Sequence, residues 1–272
     1  MGSPSATTSS EPRLAAAWDA CRAEGRAALV PYLTAGFPTP AASLEALRAA
    51  DARADILEVG VPFSDPLADG PTIQRSTFEA LRQGMTLAGT LELVAAAGPR
   101  APVVVFSYLN PIRQYGVSRF LRDAAALGIA ALLVTDLPAG ADPALEEEIA
   151  ASPLALIRLL APTTGDARLR EAVRDARGFL YLVARLGVTG TRAALAGDLR
   201  AYVERVRAVT PLPLAVGFGI STPAQAAEVA AYADGVVVGS ALVERLGTGG
   251  VGAMTALLDE LRAAMARSGR PA

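Results

Sequence analysis

Eight short, nearly continuous apolar runs recur along this chain, at 28–34, 55–61, 103–108, 131–135, 154–160, 179–184, 212–217 and 235–238. A strand with one wet face alternates polar and apolar residues. These runs do not, which marks parallel strands covered on both faces. Parallel neighbours need a crossover between them, and stretches with helical spacing supply it at 40–52, 118–127, 142–150, 166–176, 198–209 and 222–232, with a further helix starting at Thr72. Several of these open on Asp, Ser or Thr, the residues that cap helix N-termini. A preceding alanine-rich segment, 13–26, reads as a capping helix. The 272 residues show no long linker or composition break, so the expected architecture is one (β/α)8 TIM barrel over 13–268 with an extra N-terminal helix. A doubly wound sheet is the alternative that counting strands leaves open. Residues 1–12 are small and polar and read as a disordered tail rather than a secretion signal.

Two residue types are missing. The chain has no histidine and no lysine, so its 25 basic residues are all arginine. Without lysine there is no protein Schiff base, which removes imine-forming aldolases and lysine-held pyridoxal phosphate. Without histidine the usual zinc sites and imidazole proton shuttles go too, and no metal site is expected. Arginine does not titrate, so acid–base chemistry falls to Asp, Glu, Tyr or Cys. A net charge of −2 argues against a nucleic-acid partner, and no apolar run is long enough to span a membrane. The single cysteine, Cys21, has no internal partner for a disulfide, and a reducing cytoplasm is expected.

In a barrel of this kind the loops after the strand C-termini build the active site. Glu58 lies within an apolar run, between Leu57 and Val59. A buried carboxylate is costly unless paired, so Glu58 is either salt-bridged to an arginine or held with a raised pKa as an acid–base group. Asp65 and Asp69 follow in a Pro- and Gly-rich loop, where each alone reads as an Asx turn or helix cap; Glu58 with a loop aspartate makes an acid–base pair. The last two runs end in Gly217-Phe-Gly219-Ile-Ser221 and Gly239-Ser240. Such glycines make plain turns, but at the ends of the last two barrel strands they mark the recurrent phosphate site. Gly187-Val-Thr189-Gly190-Thr191 has the look of a lid. Tyr32, Phe63, Tyr108, Tyr181 and Phe218 all fall at run ends and suggest a flat apolar pocket beside the phosphate.

The segment Glu58-Val-Gly-Val-Pro-Phe-Ser-Asp-Pro-Leu-Ala-Asp-Gly-Pro-Thr-Ile-Gln74 closely resembles the signature of the tryptophan synthase α-subunit family. So do Pro31-Tyr-Leu-Thr-Ala-Gly-Phe-Pro38, Tyr108-Leu-Asn-Pro111, Asp136-Leu-Pro138, Gly187-Val-Thr-Gly190, Gly217-Phe-Gly-Ile-Ser221 and Gly239-Ser240, in order along the chain. The resemblance implies a retro-aldol lyase that splits indole-3-glycerol phosphate into indole and glyceraldehyde 3-phosphate. It implies Glu58 as principal acid–base residue and Asp69 as the partner of the indole N–H. It places phosphate contacts at Gly190, Gly219, Gly239 and Ser240, links Thr189 to Asp69, and lines the indole pocket with Tyr108, Tyr181 and Phe218. It also implies no cofactor on this chain, and an α2β2 complex whose β subunit holds pyridoxal phosphate and meets loop 62–70, Asn110-Pro111 and Pro138.

The chain departs from the family pattern at Tyr32, where phenylalanine is common and the added hydroxyl stands beside the indole. It departs again at Ala184 and Leu186 around Arg185. Two other readings keep the same fold: a free-standing lyase that releases indole, and a silent paralogue that activates a partner. A sugar-phosphate isomerase is disfavoured because such enzymes rely on His or Lys.

Overall fold

The computed structural model describes residues 11–184, 192–217 and 219–266. Within them eight parallel strands close into a barrel in sequence order. The strands are β1 (Ala28–Thr34), β2 (Leu57–Gly60), β3 (Val103–Ser107), β4 (Ala131–Val134), β5 (Ala155–Leu160), β6 (Leu180–Val183), β7 (Leu214–Gly217) and β8 (Gly235–Val238). Pairing of β1 with β8 closes the ring and excludes the doubly wound alternative. Strands such as β2, β4 and β8 are buried at every position, which is why they carry no alternation.

Around the barrel run α1 (Glu11–Ala23), α2 (Pro40–Asp51), α3 (Pro71–Arg82), α4 (Leu87–Ala97), α5 (Leu109–Tyr115), α6 (Val117–Ala126), α7 (Pro143–Ala150), α8 (Asp166–Arg174), α9 (Arg192–Arg207), α10 (Pro223–Ala230) and α11 (Ser240–Ala266). Their starts follow local chemistry. The Thr39 side chain accepts from the Ala42 amide with Pro40 at the first turn of α2, and Thr222 with Gln225 forms a full capping box on α10. Two helices, α4 and α5, lie outside the sequence expectation, and α11, expected only as a short helix after β8, runs from Ser240 to Ala266. Helix α1 starts at Glu11 rather than residue 13, and α9 starts at Arg192 rather than 198. No helix among the described residues is long and apolar enough to cross a membrane.

The N-terminal end of the barrel is plugged. Leu14 and Trp18 of α1 are buried against it, and the Trp18 ring sits 5.3 Å from Phe179. Gly235 leaves room for the indole; a Cβ there would come within 2.7 Å of Trp18 Cη2. Beside the plug, Asp55 opens the second strand segment and accepts from Arg26 Nη1 at 2.8 Å, Arg262 Nη1 at 2.9 Å and the Leu29 amide at 2.8 Å. This ties the start of β1, the start of β2 and the end of α11 together. With one end closed by side chains, the open space lies at the strand C-termini.

Candidate active site

Tyr32 on β1 is the register partner of Glu58 on β2, which in turn pairs with Val104 on β3. Their side chains share the barrel's inner face. Glu58 is 1% exposed, and neither carboxyl oxygen has a hydrogen-bond partner among the described residues. It is therefore not the arginine salt bridge that sequence allowed. Burial, and then the nearby Asp69 charge, push its carboxyl up to about 8.

Asp69 sits in the loop between β2 and α3, two residues before the Pro71 that opens the helix. Tyr108 Oη donates to its Oδ2 at 3.0 Å and accepts from the Ala68 amide at 2.9 Å, so one phenol fixes both the loop and the carboxylate. Burial raises the Asp69 carboxyl to about 6, against the lowering effect of the Tyr108 hydrogen bond. Around neutrality Glu58 is thus mostly protonated and Asp69 mostly ionised, an acid and an anion facing one space.

That space is a cavity with an empty volume of about 640 Å³, counting open solvent at its mouth. Of the residues expected from sequence, Tyr32, Glu58, Asp69, Tyr181, Gly219, Gly239 and Ser240 all line it. Tyr108 does not; it stands behind Asp69 and acts through it, with Phe63 packed on its ring at 5.1 Å. Thr189, Gly190 and Phe218, with the rest of the expected lid at 187–191 and with Arg185 and Leu186 before it, lie outside the described residues. Ser221, the last residue of the expected phosphate cluster, lines the cavity as well, while Ile73 of α3 and Phe106 of β3 also line it and were not anticipated. Phe106 was within reach, since it shares the inner face with Val104 two residues earlier.

Two glycines are needed for a reason the sequence did not suggest. The Tyr32 hydroxyl lies across Gly60 of β2, and the Tyr181 hydroxyl lies across Gly217 of β7; a Cβ on either glycine would overlap the phenol. Gly217 therefore seats an aromatic ring. Gly219, by contrast, has φ +80°, a conformation that favours glycine, and Gly239 immediately precedes the N-terminus of α11. Backbone amides and a helix dipole meet the cavity there. None of its described lining residues is an arginine.

Comparison with known proteins places this geometry. Residues 18–267 match the family model described as tryptophan synthase alpha chain. The tryptophan synthase alpha chain of Acidiphilium cryptum (strain JF-5) is 48% identical over 241 residues, 87% of each chain. That of Chloroflexus aurantiacus (strain ATCC 29364 / DSM 637 / Y-400-fl) is 48% identical over 86% of this chain and 90% of its own. Among solved structures, Mycobacterium tuberculosis tryptophan synthase matches with a TM-score of 0.83 at 45% identity, covering 93% of this chain and 98% of that one. The alpha subunit from Legionella pneumophila str. Paris matches with a TM-score of 0.85 at 34% identity, covering 94% and 98%. The chain belongs to the tryptophan synthase alpha chain family, the lyases that cleave indole-3-glycerol phosphate in tryptophan biosynthesis.

Proposed function

We propose that Glu58 and Asp69 divide the acid–base work of this cleavage, the carrying observation being two carboxyls on one cavity poised on opposite sides of neutrality. Protonated Glu58 delivers its proton to indole C3. Ionised Asp69 accepts the ring N–H and stabilises the positive charge that develops there. Glu58, now a carboxylate, takes the proton from the adjacent glycerol hydroxyl. The bond between C3 and the side chain breaks, its electron pair returns to the ring, and the side chain leaves as the aldehyde. One proton enters and one leaves, so Glu58 ends as it began. The protonated indole is its own electron sink, which makes a cofactor on this chain unnecessary for the step.

The phosphate rests on neutral donors at Gly219, Gly239 and Ser240, with the N-terminus of α11 behind them; Gly190 would complete the site from the lid, and Thr189 would link the lid to Asp69. Tyr32, Tyr181 and Phe218 border the indole, and Tyr108 contributes by holding Asp69.

Partnership with a β subunit that holds pyridoxal phosphate, in an α2β2 complex, is supported by the loop after β2. Leu67 there is 92% exposed, with the exposed Asn110 in the first turn of α5 and the exposed Pro138 on the loop after β4, at the same barrel face. Leu67 is two residues from Asp69 on that loop, so a partner seated there would bear directly on a catalytic group. The reading places the pair in the cytoplasm.

The test is indole release from indole-3-glycerol phosphate, with and without a β subunit, for the native chain and Glu58→Gln. The native chain should turn over and be stimulated by the partner. Glu58→Gln should lose ~10²–10⁴-fold. Half the native rate in Glu58→Gln would move the acid–base role elsewhere, and no stimulation would favour the free-standing lyase.

A further inference from the structure

The buried contact between α3 and β1 contains two hydroxyls that the chemistry above does not use. Thr34 Oγ1 and Ser76 Oγ are 2.7 Å apart, with Thr34 1% exposed and Ser76 fully buried. Ser76 Oγ donates to the Ile73 carbonyl at 2.8 Å. Its proton is spent there, so Thr34 is the donor between the two hydroxyls, and the bond has a fixed direction.

The position of this pair matters. Thr34 follows Tyr32 by two residues on β1, and Tyr32 is the register partner of Glu58. Ser76 lies on α3, whose first turn is continuous with Asp69-Gly70. The Asp69 carbonyl is held to that helix by Gln74 Nε2 at 2.9 Å. Seven residues separate Ser76 from Asp69, and only about 7.5 Å of this is helix, from Pro71 to Ser76, so a shift of α3 is passed to Asp69 through Gly70 and the Gln74 bond. Glu58 is fixed by a strand paired on both sides; Asp69 lies in a loop held by Tyr108 on one side and by the helix that follows it on the other. Apolar packing tolerates a small slide of a helix along a strand, whereas a short directional bond does not.

Resting on the roles given above to Glu58 and Asp69, we propose that Ser76 is a positioning residue. With Thr34 it forms a buried clasp that sets the placement of Asp69 relative to Glu58. The clasp touches no substrate. It acts on turnover through the geometry of the two carboxylates, where displacements of about an ångström are felt in the rate.

Two variants open the clasp differently. Ser76→Ala orphans the Thr34 hydroxyl, while Thr34→Val leaves the Ser76 proton on the Ile73 carbonyl and is the milder change for folding. Ser76→Thr keeps the hydroxyl. Steady-state indole release by the full chain should show kcat about 10-fold lower in Ser76→Ala and Thr34→Val, with KM within about twofold. Ser76→Thr should retain at least half the native kcat. In an Asp69→Asn background Ser76→Ala should cost less than about twofold more, because the group it positions is gone. Native kcat in Thr34→Val, accompanied only by a lower melting temperature, would overturn the proposal, and so would equal losses in the native and Asp69→Asn backgrounds. Native kcat in the single variant Asp69→Asn would instead refute the role of Asp69, a result read before any double variant is made.

Discussion

Replacing Glu58 with glutamine should make the protein progressively more stable relative to the native chain as the pH rises. Burial and then the Asp69 charge raise the Glu58 carboxyl from its ordinary 4.5 to about 8 in the folded chain. Between these values the unfolded chain has released a proton that the folded chain retains. The folded state binds more protons, so its stability falls as pH rises through the window, by about 1.4 kcal/mol per unit. Carried across the whole window this is at most about 5 kcal/mol, and rotation of the side chain toward the cavity with entry of water cuts it to roughly 2–3 kcal/mol. Glutamine has no such titration. It adds its own burial cost, which does not vary with pH, so the informative quantity is the change with pH of the difference between the two proteins.

For a domain of this size about 1 kcal/mol moves the melting temperature by about 2–4 °C, giving roughly 5–10 °C between about pH 5 and pH 8.5. Thermal unfolding followed by circular dichroism, at one scan rate and several pH values, measures it. Asp69 is present in both proteins, so its own titration near 6 largely cancels. A melting-temperature difference that stays constant over this range would refute the reasoning, because it would mean that the folded chain ionises Glu58 as easily as the unfolded one. A variant inactive as a lyase yet more stable at alkaline pH is the signature of a group kept for chemistry at the expense of stability.

The remaining expectations concern turnover and binding. The profile of kcat/KM against pH should be bell-shaped, rising as Asp69 ionises near 6 and falling as Glu58 deprotonates near 8; a flat profile from about pH 5 to 9 would separate both groups from the chemistry. Asp69→Asn should lower kcat by at least ~10²-fold with a smaller change in KM, and should remove the acid limb; a defect confined to KM would make Asp69 a binding residue only. Gly219→Val and Gly239→Val should abolish calorimetric binding of glycerol phosphate. The first forces a branched residue to φ +80°, and the second places a Cβ only 3.2 Å from Tyr32 Cδ1 with methyl groups beyond it. Native affinity in both would move the anion site off the last two strands.

The strands were legible because burial on both faces writes itself as unbroken apolar sequence; β1 and β8 were bounded to the residue, and the others lost only end residues outside the ladder. Helices were legible where amphipathic spacing and caps coincided. Helix α4 is largely apolar with Gly89 inside it, which hid its face, although Thr86 as N-cap and the left-handed Gly98 as C-cap were signals that define it. Helix α11 is broken at Gly250, with φ +69° and ψ −169°, so no continuous helical spacing runs through its Gly-rich middle. In the site, Glu58 announced itself as a lone acid in an apolar run. Tyr108 did not announce its task, because its partner Asp69 lies 39 positions away, and the Thr34–Ser76 bond spans 42. Contacts that the fold alone brings together leave no local mark in the sequence.

Asp55 and Glu58 show how one segment serves both stability and chemistry. They are three residues apart, both buried as side chains and both acidic, yet their surroundings are opposite. Burial works against charge on Asp55, but the Arg26 hydrogen bonds, the Leu29 amide and Arg262 outweigh it and hold the carboxyl below its usual range. Its charge therefore stabilises the fold, an effect present above the unfolded carboxyl value and lost as pH falls through the folded one. Glu58 receives no compensating donor from the described residues, so burial prevails and the carboxyl keeps its proton past neutrality. The difference follows from position along the strand. At its start the residue meets the arginines that close the plugged end of the barrel, and three residues on the side chain points into a cavity whose described lining contains no arginine. A cation there would pair with Glu58 and pull its pKa back toward the ordinary range, removing the proton the reaction requires. Glu58 remains available for proton transfer because none of the described residues lining its cavity brings a cation to it.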